Sequence, residues 1–306
     1  MVPLAPFPAR PLNAGHVLAV DIGGTKFRAG FLSFDGLLRG ATLVPTPRAA
    51  DAETLWAALE TLVLEVLDHD SAGDALACGV GCGGPMRDRG DAVSPLNIPG
   101  WRDFPLRSRL HRLTGLPTFV DNDAKALALG EGRYGAARGK DDYLAMVVST
   151  GVGGGLVVDG RLVDGRLGNA GHVGHVVVVP EGRRCVCGGR GCLEAEASGL
   201  AIESITGRAP AEAPPDVVER AGTLVGRAVA SVAALCDLDL AVVAGSVALG
   251  FGAPFFAAAQ AELSARARLS FVADARIIPG ALGADGPLVG AGAVGFRGIE
   301  VGGARS

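Results

Sequence analysis

The sequence lacks the marks of membrane, secreted and nucleic-acid-binding proteins. None of its apolar stretches approaches the ~20 residues that span a bilayer. The proline-rich opening, residues 1–15, has neither the charged start nor the long apolar run of a signal peptide, so we expect a flexible leader on a cytoplasmic protein. Positive charge is not in excess, since the net charge is -4 at pH 7. The chain therefore offers no basic face to a nucleic-acid backbone.

The composition is that of a globular protein with room for two domains. Hydrophobic residues make up 49% of the 306 residues and charged residues 20%, which argues against disorder, and a domain usually takes ~100–200 residues. The 47 glycines stand in short runs, as expected where backbone turns tightly or approaches a ligand. Cys78, Cys82 and Cys236 stand singly among apolar neighbours, and we expect them to be buried.

Apolar patterns predict the main elements. Residues 16–34 are predicted to form two strands joined by a glycine-rich turn, and residues 142–163 repeat that order. A helical pattern covers residues 52–69. Buried strands are predicted within 75–85 and 238–252, each ending at a glycine. The repeated hairpin is a weak internal duplication that suggests two related α/β lobes.

The division into lobes is predicted from the same pattern. We place the first lobe at residues 1–121 and the second at residues 122–286, with no Pro/Ser-rich linker at the boundary. The last helix, within residues 287–306, is expected to pack back on the first lobe. The Pro/Ala-rich stretch 206–217 is predicted to be a surface connection.

Two glycine-rich turns are candidate phosphate sites. The first, Asp21–Lys26, offers backbone N–H groups to phosphate oxygens, and its candidates are Asp21 (for Mg²⁺), Gly23, Gly24, Thr25 and Lys26. The second occupies the same place in the second hairpin, with Thr150, Gly151 and Gly153 as candidates. Two such turns facing across a cleft suit a nucleoside triphosphate. For the first turn, a plain glycine turn without a ligand is the alternative, and this turn does not match the GxxxxGK[ST] loop.

Two further polar sites stand where apolar strands end. Gly245 and Ser246 are placed to line an adenosine, although the dipeptide alone is more typical of a tight turn. Asp123 follows Asn122 at a junction of strand and helix, within residues 116–135. A phosphoryl transferase needs one carboxylate to accept the proton of the attacking hydroxyl, and we assign that role to Asp123. Asn122 beside it offers a donor and an acceptor to a sugar hydroxyl. For an isolated Asp, helix capping is the alternative.

A cysteine-rich segment predicts a metal site. One imidazole and three thiolates, from His175, Cys185, Cys187 and Cys192, are a complete set for a closed tetrahedral zinc site. Because no position stays open for water, we predict a structural zinc that rigidifies the loop presenting His172 and Glu194. For His172 alone, a role as supporting donor or as packed polar surface is the alternative.

The motifs taken together resemble the ROK family (repressor, open reading frame, kinase). The matching stretches run in order along the chain: DIGGTK (21–26), NIPGW (97–101), DNDA (121–124), STGVGGG (149–155), GHVGH (171–175) and CVCGGRGCLE (185–194). The spacing of the histidine and the three cysteines is the most specific of these signals.

The resemblance implies a fold and a reaction. The fold is the actin-like (ribonuclease H-like) ATPase fold, an α/β architecture of two lobes around a central cleft. The reaction is transfer of the ATP γ-phosphate to a hexose, commonly to the 6-hydroxyl of glucose, with Mg²⁺. By motif position it assigns the base to Asp123 and sugar contacts to Asn122, Glu194 and His175, with Gly83, Gly84 and Asn97 close to the sugar. Family members are usually dimers or tetramers.

The chain departs from the family pattern at two positions. Glucokinases of the family usually have G-E-x-G-H where this chain has His172, and relatives acting on N-acetylmannosamine resemble G-H-x-G-H. Glucose is the first expectation, on family frequency alone. His172 points to the alternative, N-acetylmannosamine or another N-acylhexosamine. The other departure is Lys125, where glucokinases more often have Asn, and we expect its side chain to face solvent.

Two other functions are less favoured by the sequence. The family includes sugar-responsive repressors, which carry a DNA-binding domain before the first strand. Here too few residues precede Asp21 for such a domain and the chain is acidic, so a regulator is the less favoured expectation. A catalytically inactive sugar-binding module is disfavoured because Asp123 and both glycine turns are retained.

Overall fold

The computed structural model of the chain describes residues 15–48, 50–68 and 74–303. Of these, the residues up to Asp123 and from Leu288 onward form one compact unit, and Ala124–Pro287 form a second. We call them unit 1 and unit 2. The sequence predicts the boundary after residue 121, and the observed division follows Asp123. Residues 1–14 of the predicted leader lie outside the described part of the chain.

Unit 1 is built on a five-stranded sheet of mixed direction. Its order is β3-β2-β1-β4-β7. Strand β2 is antiparallel to both β1 and β3, whereas β1, β4 and β7 are parallel to one another. The elements are β1 His16–Ile22, β2 Lys26–Ser33, β3 Leu38–Pro45, α1 Ala52–Leu67, β4 Ala75–Cys82, β5 Met86–Arg87, β6 Ala92–Val93, α2 Leu106–Thr114 and β7 Thr118–Asn122.

The core of unit 1 explains why these segments fold as they do. The predicted helix is α1, which begins where Asp51 accepts a hydrogen bond from Thr54 N at 2.7 Å, a side-chain cap on an unpaired amide. Leu55, Leu59 and Leu62 recur at helical spacing and are buried against the sheet. Burying each such side chain contributes roughly 1.5–3 kcal/mol.

Unit 2 repeats the plan. Its sheet has the order β10-β9-β8-β11-β12, again with three antiparallel strands followed by two parallel ones. Its elements, from α3 onward, are α3 Asp123–Tyr134, β8 Tyr143–Val148, β9 Val152–Val158, β10 Arg161–Leu162, α4 Leu193–Ala197, α5 Gly199–Thr206, α6 Pro215–Cys236, β11 Leu240–Ala244, α7 Ser246–Phe251, α8 Ala253–Arg266 and β12 Arg276–Pro279. The weak duplication of hairpins thus reflects two sheets of the same topology.

The last helix, α9 Gly286–Gly303, covers the sheet of unit 1 through glycines. Gly295 lies so close to β4 that a Cβ added to it would be 3.2 Å from the Cα of Gly79, and a Cβ on Gly79 would collide with Ala291 O. Glycine on both elements lets the helix backbone rest directly on the strand.

Two sequence expectations need correction or qualification. The stretch 206–217 is not wholly a connection, because α6 begins at Pro215, and proline suits the first turn of a helix. Cys78 and Cys82 are buried as predicted, whereas Cys236 is half-buried. No helix in the described part of the chain combines the length and the apolar character needed to traverse a bilayer.

Candidate active site

In unit 1, the predicted site residues follow the carboxyl ends of three neighbouring strands. The parallel register aligns Asp21 with Gly81 and Gly81 with Asp121. The chain leaving β1 is the first glycine turn, the chain leaving β4 carries Gly83 and Gly84, and the chain leaving β7 carries Asp123. The sheet therefore brings segments that are far apart in sequence to one edge, where α/β sheets commonly bind ligands.

The electrostatics of this edge centre on Asp21 and Asp123. Burial, together with the negative charge of Asp123, raises the pKa of Asp21 from 3.8 to about 7, against smaller opposing effects of Arg28 and Lys26. Burial, Asp123 and Asp21 also raise the pKa of the Cys82 thiol. Two carboxylates close enough to affect each other form a site that favours a cation.

The first glycine turn is held from within unit 1. Gly23 N donates to Lys26 O at 3.1 Å, and Thr46 Oγ1 donates to Gly23 O at 2.7 Å. Thr25 and Lys26 are exposed, so the hydroxyl and the ammonium stand open to a ligand. The turn is rigid at its base and open at its tip.

Asn97 lies against both glycine segments of unit 1. A Cβ added to Gly24 would be 3.0 Å from Asn97 Cβ, and one added to Gly83 would be 3.2 Å from Asn97 Oδ1. The Asn97 loop is anchored by the fully buried Trp101, whose indole donates to Ala52 O at 3.2 Å. The structure thus brings together three of the residues that the resemblance placed near the sugar or the phosphates.

Asp121 and Asp123 have different surroundings. Asp121 is buried, accepts from its neighbour Asn122 N at 2.8 Å and pairs with Arg297 of α9 at 3.3 Å. Asp123 is half-buried at the start of α3. Asp121 therefore ties the last helix to the sheet. Sequence reasoning missed Arg297, whose one signal is a cation inside a glycine-rich apolar run.

In unit 2, the second glycine turn meets the end of β11. Ser149 Oγ and Ser246 Oγ share a hydrogen bond of 2.9 Å, and Gly199 N donates to Ser149 O at 2.7 Å. Gly245 has a φ of 100°, which an L side chain rarely adopts. Thr150 is exposed. The structure thus joins the start of the second glycine turn, at Ser149, to Ser246.

Gly153 has a packing role that the sequence did not reveal. It lies within β9, and a Cβ on it would be 2.8 Å from Ala124 Cβ of α3. A Cβ on Gly155 would likewise be 2.7 Å from Ala128 Cβ. Alternate glycines of β9 therefore let α3 lie directly on the strand.

The cysteine-rich segment forms a compact donor cluster. The ligand atoms of His175, Cys185, Cys187 and Cys192 all lie within 4.8 Å of one another. Cys185 Sγ lies 3.6 Å from His175 Nδ1, and Cys187 Sγ lies 3.7 Å from Cys192 Sγ. A tetrahedron with zinc–sulfur bonds of about 2.3 Å has sulfur–sulfur edges of about 3.8 Å. The donor set and its spacing therefore fit a zinc ion.

Glu194 connects this cluster to the second glycine turn. It lies in the first turn of α4, two residues after Cys192, and its Oε2 accepts from Val152 N at 2.9 Å. A Cβ on Gly151 would be 2.7 Å from the same oxygen. A segment predicted to bind sugar thus directly contacts the hairpin predicted to bind phosphate.

His172 is exposed with a defined ring orientation. Its Nδ1 lies 2.8 Å from Asn169 O, and because a carbonyl oxygen only accepts, Nδ1 donates. In a neutral imidazole the other nitrogen, Nε2, is then an acceptor. The ring lies 6.1 Å from that of His175, with an interplanar angle of 19°.

The expectation that Lys125 faces solvent is wrong. Its side chain is 1% exposed, and its Nζ donates to Asp164 Oδ1 at 3.0 Å and to Gly168 O at 3.1 Å. A buried ammonium needs such partners because desolvation of an unpaired charge is costly.

Comparisons with known proteins agree on the family. The sequence profile of the ROK family matches residues 17–295. The chain is 37% identical over 254 residues to the N-acetylmannosamine kinase of Yersinia pseudotuberculosis serotype O:1b (strain IP 31758), covering 78% of this chain and 85% of that protein. It resembles the crystal structure of the ROK hexokinase from Thermus thermophilus (TM-score 0.80, 33% identity, 94% and 99% covered). It also resembles the ROK family glucokinase from Streptomyces griseus in complex with glucose and AMPPNP (TM-score 0.80, 29% identity, 92% and 100% covered).

Proposed function

The chain belongs to the ROK family and is an ATP-dependent sugar kinase with the predicted actin-like ATPase fold, and we propose that its acceptor is an N-acylated hexosamine, with N-acetylmannosamine as the first candidate. Glucose, the first expectation from family frequency, becomes the second candidate. The preference for N-acetylmannosamine over glucose as the acceptor rests on His172 together with the 37% identity to an N-acetylmannosamine kinase. The bound glucose of the Streptomyces griseus structure favours the second candidate.

The observation that carries the choice of sugar is the orientation of His172. Donation from Nδ1 to Asn169 O fixes the ring, and in a neutral imidazole Nε2 is then a single acceptor. A glutamate in that position would instead offer a charged, two-oxygen acceptor, which suits a pair of vicinal hydroxyls. A sugar that bears one acylamino group in place of a hydroxyl presents one N–H donor and an apolar methyl group, which suits an imidazole better.

We assign the chemical step to Asp123. Its carboxylate accepts the proton of the sugar 6-hydroxyl as that oxygen attacks the γ-phosphorus of ATP, the bond from phosphorus to the bridging oxygen breaks, and ADP leaves. Asn122, Asn97, Glu194 and His175 orient the sugar, together with the backbone of Gly83 and Gly84. Orientation of this kind supplies most of the rate in phosphoryl transfer.

The nucleotide is assigned to the two glycine turns. Backbone amides of Gly23, Gly24 and Gly151, with Thr25, Lys26 and Thr150, bind phosphate oxygens. Gly245 and Ser246 line the nucleoside. Mg²⁺ neutralises charge on the transferring phosphoryl group when it is bound, and the position of Asp21 beside Asp123 suits a residue that holds it.

We assign a structural rather than a catalytic role to the zinc. His175, Cys185, Cys187 and Cys192 use all four positions of a tetrahedral ion, so zinc would hold the segment that carries Glu194. The homo-oligomeric state, the cytoplasmic location and the absence of DNA binding stay predictions, and the first of these can be checked by light scattering.

A panel of sugars tests the proposed acceptor. ADP release would be measured with N-acetylmannosamine, N-acetylglucosamine, mannose and glucose, each against an ATP-only control. We expect the highest kcat/KM with N-acetylmannosamine. A higher kcat/KM with glucose would contradict the choice of sugar, and no release with any sugar would contradict the kinase function.

A substitution tests the residue behind the choice. His172→Glu is expected to lower the preference for N-acetylmannosamine over glucose at least tenfold, because it restores the charged acceptor. The matched control is His111→Glu, since His111 is also exposed and its Nδ1 lies 2.7 Å from Leu116 O. The control should leave the preference unchanged, and an equal change in both variants would remove His172 from the proposal.

A further inference from the structure

Lys125 of α3 contacts a short loop that leads to His172. The loop runs from Asp164 to Gly171 and closes where Ala170 N donates to Asp164 O at 3.1 Å. Gly165, Gly168 and Gly171 all have positive φ, at 72°, 88° and 97°. A loop with three such residues has little conformational preference of its own, so its shape depends on what it is tied to.

Lys125 supplies that tie. Its Nζ donates to Asp164 Oδ1 at the start of the loop and to Gly168 O near its end. The ammonium thereby bonds both arms of the loop at once. The side chain is 1% exposed and that of Asp164 28% exposed, so solvent screens this ion pair much less than a surface pair.

The contacts of Lys125 are linked to His172 through one intervening residue, Asn169. Gly168 is followed by Asn169, and the carbonyl of Asn169 accepts the hydrogen bond that orients the His172 ring. Gly171 in turn packs on β9, where a Cβ on it would be 3.2 Å from Gly155 Cα. The orientation of His172 is therefore set by a carbonyl next to the one that Lys125 holds.

The backbone of Lys125 is held by a rigid part of unit 2. Lys125 belongs to α3, which rests on β9 through Gly153 and Gly155, and a Cβ on Gly155 would be 2.9 Å from Lys125 Cα. Residues two apart on a helix do not share a face, so Lys125 is directed away from the face of its neighbour Asp123. Removing the ammonium is therefore a change to the loop rather than to the proposed base.

We propose that Lys125 is a positioning residue for sugar recognition, acting through Asp164, Gly168 and Asn169 to fix His172. The proposal rests on the proposed function, in which His172 contacts the sugar. It assigns a role to the residue that departs from the family pattern directly after the DNDA motif. A lysine here selects one conformation of a glycine-rich loop, and that conformation presents Nε2 of His172.

The first experiment compares Lys125→Met with Lys140→Met. Lys140 is also a lysine of unit 2 paired with an aspartate, at 3.2 Å from Asp239, but both side chains are exposed. We expect Lys125→Met to raise KM for N-acetylmannosamine about tenfold, since misplacement of a positioning group by ~1 Å can cost up to ~100-fold. KM for ATP should stay unchanged and kcat within about twofold. Lys140→Met should change none of these.

Asp164→Asn provides a second variant if Lys125→Met does not fold. It keeps the volume of the side chain and the bond from Lys125 to Gly168 O, and removes the charge of the partner. We expect the same direction with a smaller size, a rise of about threefold in KM for the sugar. A fall in kcat with KM unchanged, in either variant, would overturn the proposal in favour of an effect on Asp123.

A double-mutant cycle separates positioning from general stability. In a His172→Ala background, Lys125→Met should no longer raise KM for the sugar, because its effect passes through His172. A full tenfold rise in that background would overturn the proposal. Loss of folding stability alone would not produce this dependence on residue 172.

Hydrogen exchange of the protein without substrate tests the tie independently of any activity. We expect the amide of Ala170, which closes the loop, to exchange at least tenfold faster in Lys125→Met than in the unmodified chain, with β8 and β11 unchanged. Unchanged exchange at Ala170 would overturn the proposal. If the unmodified chain phosphorylates no sugar, the proposed function fails, and the exchange result still decides whether Lys125 holds the loop.

Discussion

At the scale of single residues, Asp21 shows a conflict between stability and function. Its carboxyl is buried next to Asp123, and burial followed by that charge raises its pKa to about 7. The folded chain therefore keeps a proton on Asp21 that the unfolded chain loses near pH 4. Stability should then fall as pH rises from about 4 to about 7, since the folded state binds more protons in that window.

Asp21→Asn tests this conflict. We expect the variant to gain stability on the order of 1–3 kcal/mol relative to the unmodified chain at pH 8, because it removes a buried charge close to a second carboxylate. At pH 4 the difference should vanish. Urea unfolding at both pH values, without metal or nucleotide, gives the comparison, and equal stability of the two chains at pH 8 would contradict it. Turnover should fall as well, because the substitution removes the residue proposed to hold Mg²⁺.

Asp123→Asn tests the assigned base. We expect kcat to fall by several orders of magnitude while the affinity for sugar, measured by calorimetry, stays within a few-fold. Asp121→Asn is the control, since Asp121 pairs with Arg297 rather than serving as a base. It should lower stability and keep kcat within about tenfold. Near-normal turnover of Asp123→Asn would remove Asp123 from the mechanism.

The sequence indicates a role for single residues where a motif is local, and it does not reveal partners that are distant along the chain. Asp21, Asp123 and the metal donors each stand in a short pattern whose chemistry is legible. No short pattern shows the roles of Lys125 and Asp121, although Asp121 begins the DNDA motif, because these roles depend on Asp164 in one case and on Arg297 in the other. Pairing across such separations depends on the sheet and helix packing, which a local pattern does not contain.

At the scale of elements, α3 is fixed at its far end by a buried carboxylate. Glu131 is fully buried and accepts from Ala136 N at 2.7 Å, from Ala281 N at 3.2 Å and from Leu282 N at 3.3 Å. These amides belong to the turn after α3 and to the segment between β12 and α9. A carboxylate accepts from all three at once, whereas an amide side chain has a single acceptor oxygen.

Glu131→Gln should therefore destabilise unit 2. The new NH₂ group meets at least one backbone N–H with no acceptor between them, and leaving a buried donor unpaired costs about 1–3 kcal/mol. Urea unfolding would measure the loss. Glu203→Gln is the control, because Glu203 is exposed on α5 and the same substitution there should cost less than about 0.5 kcal/mol. Equal effects would contradict the capping role of Glu131.

The cysteine-rich segment gives a second prediction at this scale. We expect one zinc per chain by elemental analysis, and loss of that zinc in Cys187→Ser. Because Glu194 follows Cys192 closely and accepts from Val152 N, the loss should raise KM for both sugar and ATP. Cys236→Ser is the control, since Cys236 lies outside the cluster. A parent protein without zinc, or a variant with unchanged KM values, would contradict this account.

At the scale of the whole molecule, the two units share one sheet topology but differ in how many segments of the chain form them. Unit 2 is one continuous stretch, whereas unit 1 is completed by α9 after the chain has left it. The hairpin pattern predicted the duplication, and the apolar run of the last helix suggested its return. The close contact of α9 with β4 could not be foreseen, because glycines are equally typical of turns and of tight packing.

Gly79→Ala tests how far unit 1 depends on this contact. A methyl group on Gly79 would collide with the backbone of Ala291 and Gly295, and backbone yields less than a flexible side chain. We expect a loss of several kcal/mol. Gly250→Ala is the control, since a Cβ there meets nothing within 4 Å and lies within helix α7, where alanine is favoured over glycine by about 0.5–1 kcal/mol.

Hydrogen exchange shows which unit loses stability in Gly79→Ala. In Gly79→Ala, amides of β1 and β4 should exchange faster because α9 no longer covers their sheet, while those of β8 and β11 should keep their protection if unit 2 holds its own core. The buried residues of unit 2 form a large cluster spanning β8, β11, α6 and α8, which supports that expectation. Equal loss in both units would show instead that they unfold as one cooperative body, and α9 would then stabilise the whole chain.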